Sequence, residues 1–238
     1  MVMKKSKTPK RATQVTRRAN QVLRQIGILK NPYLESLCDG NLSLQQFRQT
    51  QEQFYYAVLF FARPMAGLVA RIPNPKARLD ILHNVVEEHG DFNPAEFHET
   101  TFKRFLVSIG CQRKTIGKRE LWPEVRAFNS VLATTCLHDE IESGISCMGI
   151  IEYAFADISS IIGKAVVHRG WVKSEDLVHY KLHAAIDKRH ADEFFVLVEP
   201  LWKNKSQRYY IDQGLQLGAY VFDRLYRDFF NKVTRTRI

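Results

Sequence analysis

Helix starts and stops recur along this chain so often, and strand signals so rarely, that a helical bundle is the expected architecture. Asn31-Pro32 opens a short helix that Gly40 stops. Asn74-Pro75 and Asn93-Pro94-Ala-Glu96 open two more, ended by Gly90 and Gly110. Ser43-Leu-Gln-Gln46 is a capping box ahead of an apolar-periodic run to about Ile72, with Pro64 expected to kink it. Helical patterns also cover residues 13–26 up to Gly27, Trp122 to about Leu137 and Asp139 to about Arg169, and others begin at Ser174 and Ser206. A polar link occupies 111–121, and no alternating strand pattern of useful length, no repeat and no low-complexity tract lies outside the N-terminal tail. The expected fold class is therefore all-α: one domain over residues 13–238 with about seven or eight helices.

The charge is uneven. The chain carries a net +10, yet its first thirty residues hold nine Lys and Arg and no acid, which leaves 26 basic against 25 acidic residues in the rest. Residues 1–12 are expected to be a basic, solvated tail, and the near-neutral body offers no aromatic-and-basic platform for nucleic acid. No apolar run reaches the roughly 18 residues of a membrane span. The basic start lacks the apolar stretch of a secretory signal. Cys38, Cys111, Cys136 and Cys147 are scattered without a CxxC pair, as suits reduced thiols. Together these features suggest a cytoplasmic protein without nucleic-acid partners or a membrane span, in which a homodimer is allowed.

The chemistry concentrates in His179-Tyr-Lys-Leu-His183-Ala-Ala-Ile-Asp187-Lys-Arg-His190. On a helix, His183, Asp187 and His190 at i, i+4 and i+7 share one face and form half of a metal site. Candidates for the other half are Glu88 in Glu87-Glu88-His89-Gly90, His98 soon after Asn93-Pro94, and Glu152. Glu152 lies in an apolar run, where a carboxylate is costly to bury without a compensating positive charge. Three carboxylates and three imidazoles on helices are the oxygen and nitrogen ligands of a non-haem di-iron or iron–manganese centre. Glu87 stands beside Glu88 as a rival ligand. His83, His138, His168 and His179, taken singly, read as hydrogen-bonded structural histidines. Phe54, Tyr55, Tyr56, Phe60 and Phe61 read as core or as lining of an apolar substrate pocket.

The motif Asn84-Val-Val-Glu-Glu88-His-Gly90, followed by His98-x-x-x-Phe102-x-x-Phe105-Leu106, Glu152 and His183-x-x-x-Asp187-x-x-His190, resembles the haem-oxygenase-like di-metal oxidases. The resemblance covers about residues 20–230 and is nearest to the family's chlamydial branch. It implies the helical bundle shared with haem oxygenase, TenA-type thiaminase and pyrroloquinoline-quinone synthase. It also implies two iron ions, or iron with manganese, held by Glu88, His98, Glu152, His183, Asp187 and His190. Dioxygen would be the co-substrate, consumed in C–C cleavage, N-oxygenation or aromatic-precursor chemistry on a small organic molecule. Two positions where the chlamydial pattern has tyrosines hold Leu34 and Ile151 here, with Tyr33 and Tyr153 next to them. The alternatives are a metal-free member of the same fold that binds or converts a small molecule, or a non-enzymatic helical interaction protein docked by its basic tail.

Overall fold

The computed structural model describes residues 13–235, so the basic tail at 1–12 lies outside the described residues. Within them the chain is all-helical: nine α-helices joined by short links and 3-10 turns, with no strand. The nine helical segments read from the sequence each yield one helix, one more than the seven or eight expected, and the first two stand as separate elements. These are α1 (Gln14–Ile26) and α2 (Pro32–Cys38).

Local signals set most boundaries. Thr13 accepts from the Thr16 N–H to start α1, and Gly27 ends it at φ +73°, a left-handed angle that costs glycine least. Asn31 caps α2 by accepting from the Tyr33 N–H, while its side-chain amide donates to Asp223 at 2.8 Å. The expected capping box is present ahead of α3 (Leu44–Arg71), which runs unbroken through Pro64. α4 covers Pro75–Glu88 with Asn74 as its cap. Asn93-Pro94 opens a turn instead of the next helix. The Asn93 side chain accepts from the Ala95 N–H, the chain bends, and α5 begins only at His98 (His98–Ser108).

Beyond the link lie α6 (Pro123–Leu137), α7 (Ile141–His168), α8 (Val178–Val198) and α9 (Lys205–Thr234). Ser174 starts only a three-residue 3-10 turn, so α8 begins at Val178. No side chain caps the start of α8, and its first turn holds no acid to offset the exposed N–H groups.

α7 is the axis of the bundle and packs most extensively on α8 and α9. Close approach to α9 depends on two glycines. A Cβ on Gly214 would lie 2.3 Å from the Ser143 carbonyl oxygen, and one on Gly218 would lie 2.6 Å from that of Cys147. α7 also corrects the expectation that no segment is long and apolar enough to span a membrane. It contains an 18-residue window of mean hydropathy 1.5, but 78% of that window is buried against the neighbouring helices. A central bundle helix is apolar on all sides because it has partners on all sides. The four cysteines are free thiols, three of them buried.

Candidate metal centre

α8 presents His179, His183, Asp187 and His190 on one buried face. Facing it are Glu88 at the last turn of α4, His98 at the first turn of α5 and Glu152 in the middle of α7, all buried. The structure thus brings together all six residues marked in the sequence, from four helices.

Two groupings are visible. Glu152, Asp187 and His190 each offer a ligand atom, and these atoms lie within 4.8 Å of one another. His190 Nδ1 stands 3.8 Å from Glu152 Oε2 and 4.0 Å from Asp187 Oδ1, beyond hydrogen-bonding range. In the second grouping Glu88 Oε1 lies 2.9 Å from His98 Nδ1, and the His98 and His183 rings are 4.6 Å apart. The His98–Glu88 approach is close, yet His98 Nδ1 has no hydrogen-bond partner of adequate geometry. His183 Nδ1 donates to Asp187 Oδ1 at 2.9 Å, which leaves His183 Nε2 bare. Glu152 Oε1, Asp187 Oδ2 and His190 Nδ1 are also buried without partners. So many orphaned polar atoms at one spot break the usual rule that buried polar groups are satisfied. Mixed carboxylate and imidazole donors in that state suit hard or borderline divalent cations.

The electrostatics agree. Burial, with the Asp187 and Glu88 charges adding to it, pushes the Glu152 carboxyl up to about 7 against the pull of His190. Burial likewise raises Asp187. Burial would also raise Glu88, but His98, His183 and His190 outweigh it and hold Glu88 down at about 2. Burial lowers His183 to about 3, with His98 adding to the effect. Burial also works against the His190 cation, yet Glu152, Asp187 and Glu88 push it up to about 9. Crowded like charges are being relieved by protons, and bound cations would replace those protons.

Glu87 does not join the set. It turns outward, accepting from His190 Nε2 at 3.0 Å and from Arg189 at 2.6 Å, and Arg189 also binds Glu193 at 3.0 Å. Glu87, the rival in the sequence, is thus hydrogen-bonded to the outer nitrogen of the His190 ring. His83 lies 3.4 Å from Glu87, while exposed His89 contacts the Val85 carbonyl. His179 is hydrogen-bonded as expected, its Nδ1 lying 3.2 Å from the Thr101 hydroxyl, but it is not isolated. It is fully buried with its ring 4.3 Å from that of His183, and spacing four residues before His183 was the available signal.

Glu88, His98, Glu152 and His183 border a cavity of about 40 Å³, walled chiefly by Phe54, Phe61, Phe128, Ile151, Phe155 and Phe222. Of the aromatic run in α3, Phe54 and Phe61 therefore face it. Tyr55 instead donates to Glu99, and Tyr56 to the Arg119 carbonyl. No cysteine is in the cavity wall, and burial pushes the Cys111 and Cys136 thiols up to about 12. A larger groove of about 1000 Å³ beside the C-terminal end of α9 is open and mixed in charge. Its Lys232–Glu124 and Arg224–Asp228 pairs satisfy each other at 3.0 and 2.9 Å.

With this geometry in view, comparison with known proteins is informative. Two relatives named 4-aminobenzoate synthase align along most of the chain. That of Nitrosomonas europaea is 20% identical over 76% of this chain and 76% of its own length. That of Chlamydia muridarum is 21% identical over 84% and 81%. A Shewanella denitrificans domain with a haem-oxygenase-like fold superposes with a TM-score of 0.77 at 16% identity, covering 92% of this chain and 93% of that one. A TenA homologue from Pseudomonas syringae pv. tomato gives 0.76 at 13% identity, covering 96% and 99%. These establish the haem-oxygenase-like fold. The family described as iron-containing redox enzymes matches residues 48–218, which hold all six converging residues and make up well over half the sequence, so the chain belongs to that family.

Proposed function

We propose that the protein is a dioxygen-dependent, non-haem di-metal oxidase or oxygenase acting on a small organic molecule. Glu152, Asp187 and His190 would hold one ion, and Glu88, His98 and His183 the other. Glu152 is electrostatically coupled to histidines of both groupings, which suits a shared ligand. The observation that carries the reading is the buried convergence of three carboxylates and three imidazoles with unpartnered atoms beneath an apolar cavity. Iron–iron is the first choice of metals and iron–manganese the second, because this donor set accepts either.

When bound, the metal pair supplies the redox chemistry with dioxygen. The chain's own residues do the rest. Glu87 fixes the His190 ring so that Nδ1 faces inward. Asp187 fixes His183 in the same way through Nδ1, leaving Nε2 free. The phenylalanine wall excludes water and receives an apolar substrate body. The names of the relatives favour aromatic-precursor chemistry. Leu34 is buried and Ile151 lines the cavity, and neither carries a phenol. The aromatic group would therefore come from a bound molecule and not from those positions of the chain.

The test is to reload purified protein with ferrous iron without oxygen, count metal per chain, and then follow dioxygen uptake. About two irons per chain are expected, falling in His183→Ala and Asp187→Ala. Wild-type protein that binds no iron, or variants that bind as well as wild type, would sink the assignment.

A further inference from the structure

We propose that His179 Nε2 is a hydrogen-bond acceptor that positions a hydroxyl or amino group of the substrate in the cavity. The inference rests on the oxidase reading for what happens to that substrate, but its geometry is independent of any metal.

Thr101 sets the tautomer of His179 through its hydroxyl. Its hydroxyl has one proton and donates it to the His98 carbonyl at 3.0 Å. The same oxygen lies 3.2 Å from His179 Nδ1, so with its proton committed it can only accept there. On this pairing, the shorter of the two contacts, the His179 proton sits on Nδ1 and leaves a lone pair on Nε2. That nitrogen is buried, has no partner, and belongs to a side chain in the cavity wall.

A neutral acceptor in an apolar wall selects a ligand type. It rewards an O–H or N–H donor and leaves an isosteric methyl facing an unsatisfied nitrogen. A cavity of about 40 Å³ accommodates such a group but not a whole ring, given about 10–15 Å³ per water-sized occupant. The apolar body would extend toward Val58 and Phe61, the half-buried part of the wall. The substrate class is therefore a small amphiphile: an aromatic or aliphatic body with one uncharged hydroxyl or amine directed at the centre.

The test uses phenol and toluene, similar in shape but differing in the donor, on the full chain in metal-free and zinc-loaded forms. Calorimetry measures affinity, and 15N spectra of histidine-labelled protein report the state of His179 Nε2. The expected result is a bare Nε2 in both forms, shifted by phenol and not by toluene, with phenol favoured about tenfold. The preference should vanish in His179→Phe. Thr101→Val, which leaves the cavity wall untouched but frees the tautomer, should weaken it. A protonated Nε2, failure of phenol to bind, equal affinity for both probes, or zinc coordination by Nε2 would each overturn the proposal. Zinc stoichiometry is measured alongside: a wild type that binds no metal defeats the oxidase reading while leaving the phenol preference to stand or fall by itself.

Discussion

Replacing Glu87 would separate the carboxylate proposed to steer the centre from the one proposed to enter it. In Glu87→Ala, His190 Nε2 loses an acceptor at 3.0 Å and Arg189 loses one at 2.6 Å. The His190 ring is then free to turn, and Arg189 keeps only Glu193 as an ion-pair partner. Removing such an outer partner typically weakens metal binding 10–100-fold. The Glu87 side chain is 18% exposed, so solvent screens part of the interaction and the lower end, about tenfold, is expected. That equals about 1.4 kcal/mol of metal-linked stability. For a chain of this size it removes about 3–5 °C of the rise in Tm on metal loading. Glu87→Gln should fall between, since its amide oxygen still accepts from Nε2–H but the charge is gone. Glu88→Gln should instead abolish one ion. The assay is competition against a chromophoric chelator, with the metal-dependent Tm read in parallel. Unchanged affinity in Glu87→Ala, or the loss of a whole ion there and not in Glu88→Gln, would refute the division of roles.

Other consequences are equally accessible. Metal binding should release protons: His190, pushed up to about 9, must lose one below that pH, and Glu152, pushed up to about 7, must lose another below 7. Affinity should thus climb with pH by at least one proton per ion pair between 7 and 9 and by at least two below 7, readable by pH-stat titration; a pH-independent affinity contradicts it. Both folded-state values lie above the ordinary 4.5 and 6.5, so their stabilisation of the metal-free protein is present at low pH and lost as pH rises through about 7 and 9. The metal-free Tm should fall across that window while the loaded Tm does not. Gly214→Ala places a methyl 2.3 Å from the Ser143 carbonyl and should cost about 2 kcal/mol or more, or about 4–8 °C in a thermal melt; a melt within about 1 °C of wild type would show that α7 and α9 yield freely. Asn31→Ala removes the α2 cap and both bonds to Asp223, and should cost about 2 kcal/mol by urea denaturation, whereas Asn31→Asp keeps the cap but sets like charges together.

What the sequence made legible follows the range over which each signal is satisfied. The capping box at Ser43 and Gln46 and the Asn31 and Asn74 caps close within three residues, so the helices they start could be read directly. Asn93-Pro94 misled because an Asx turn uses the same residues as a cap and differs only in where the chain goes next. The i, i+4, i+7 stripe of α8 placed three site residues on one face, but one helix does not reveal what faces it. Glu87 and Glu88 sit about 100° apart around α4, and only the positions of α5 and α8 decide which points inward. His179 escaped for the same reason. Its burial depends on Phe102 and Phe155, which belong to other helices.

The uncapped start of α8 has a consequence for the life of the protein. This helix lacks a side-chain cap and an acidic first turn, and it buries three histidines and an aspartate where apolar residues would hold it to α7 more firmly. If ions neutralise that stripe as proposed, the metal-free α8 has buried unpartnered polar atoms to gain by opening, and opened helices are what proteases cut. Iron supply would then set how long each copy persists as well as whether it turns over, so a starved cell would hold fewer molecules rather than a reserve of idle ones.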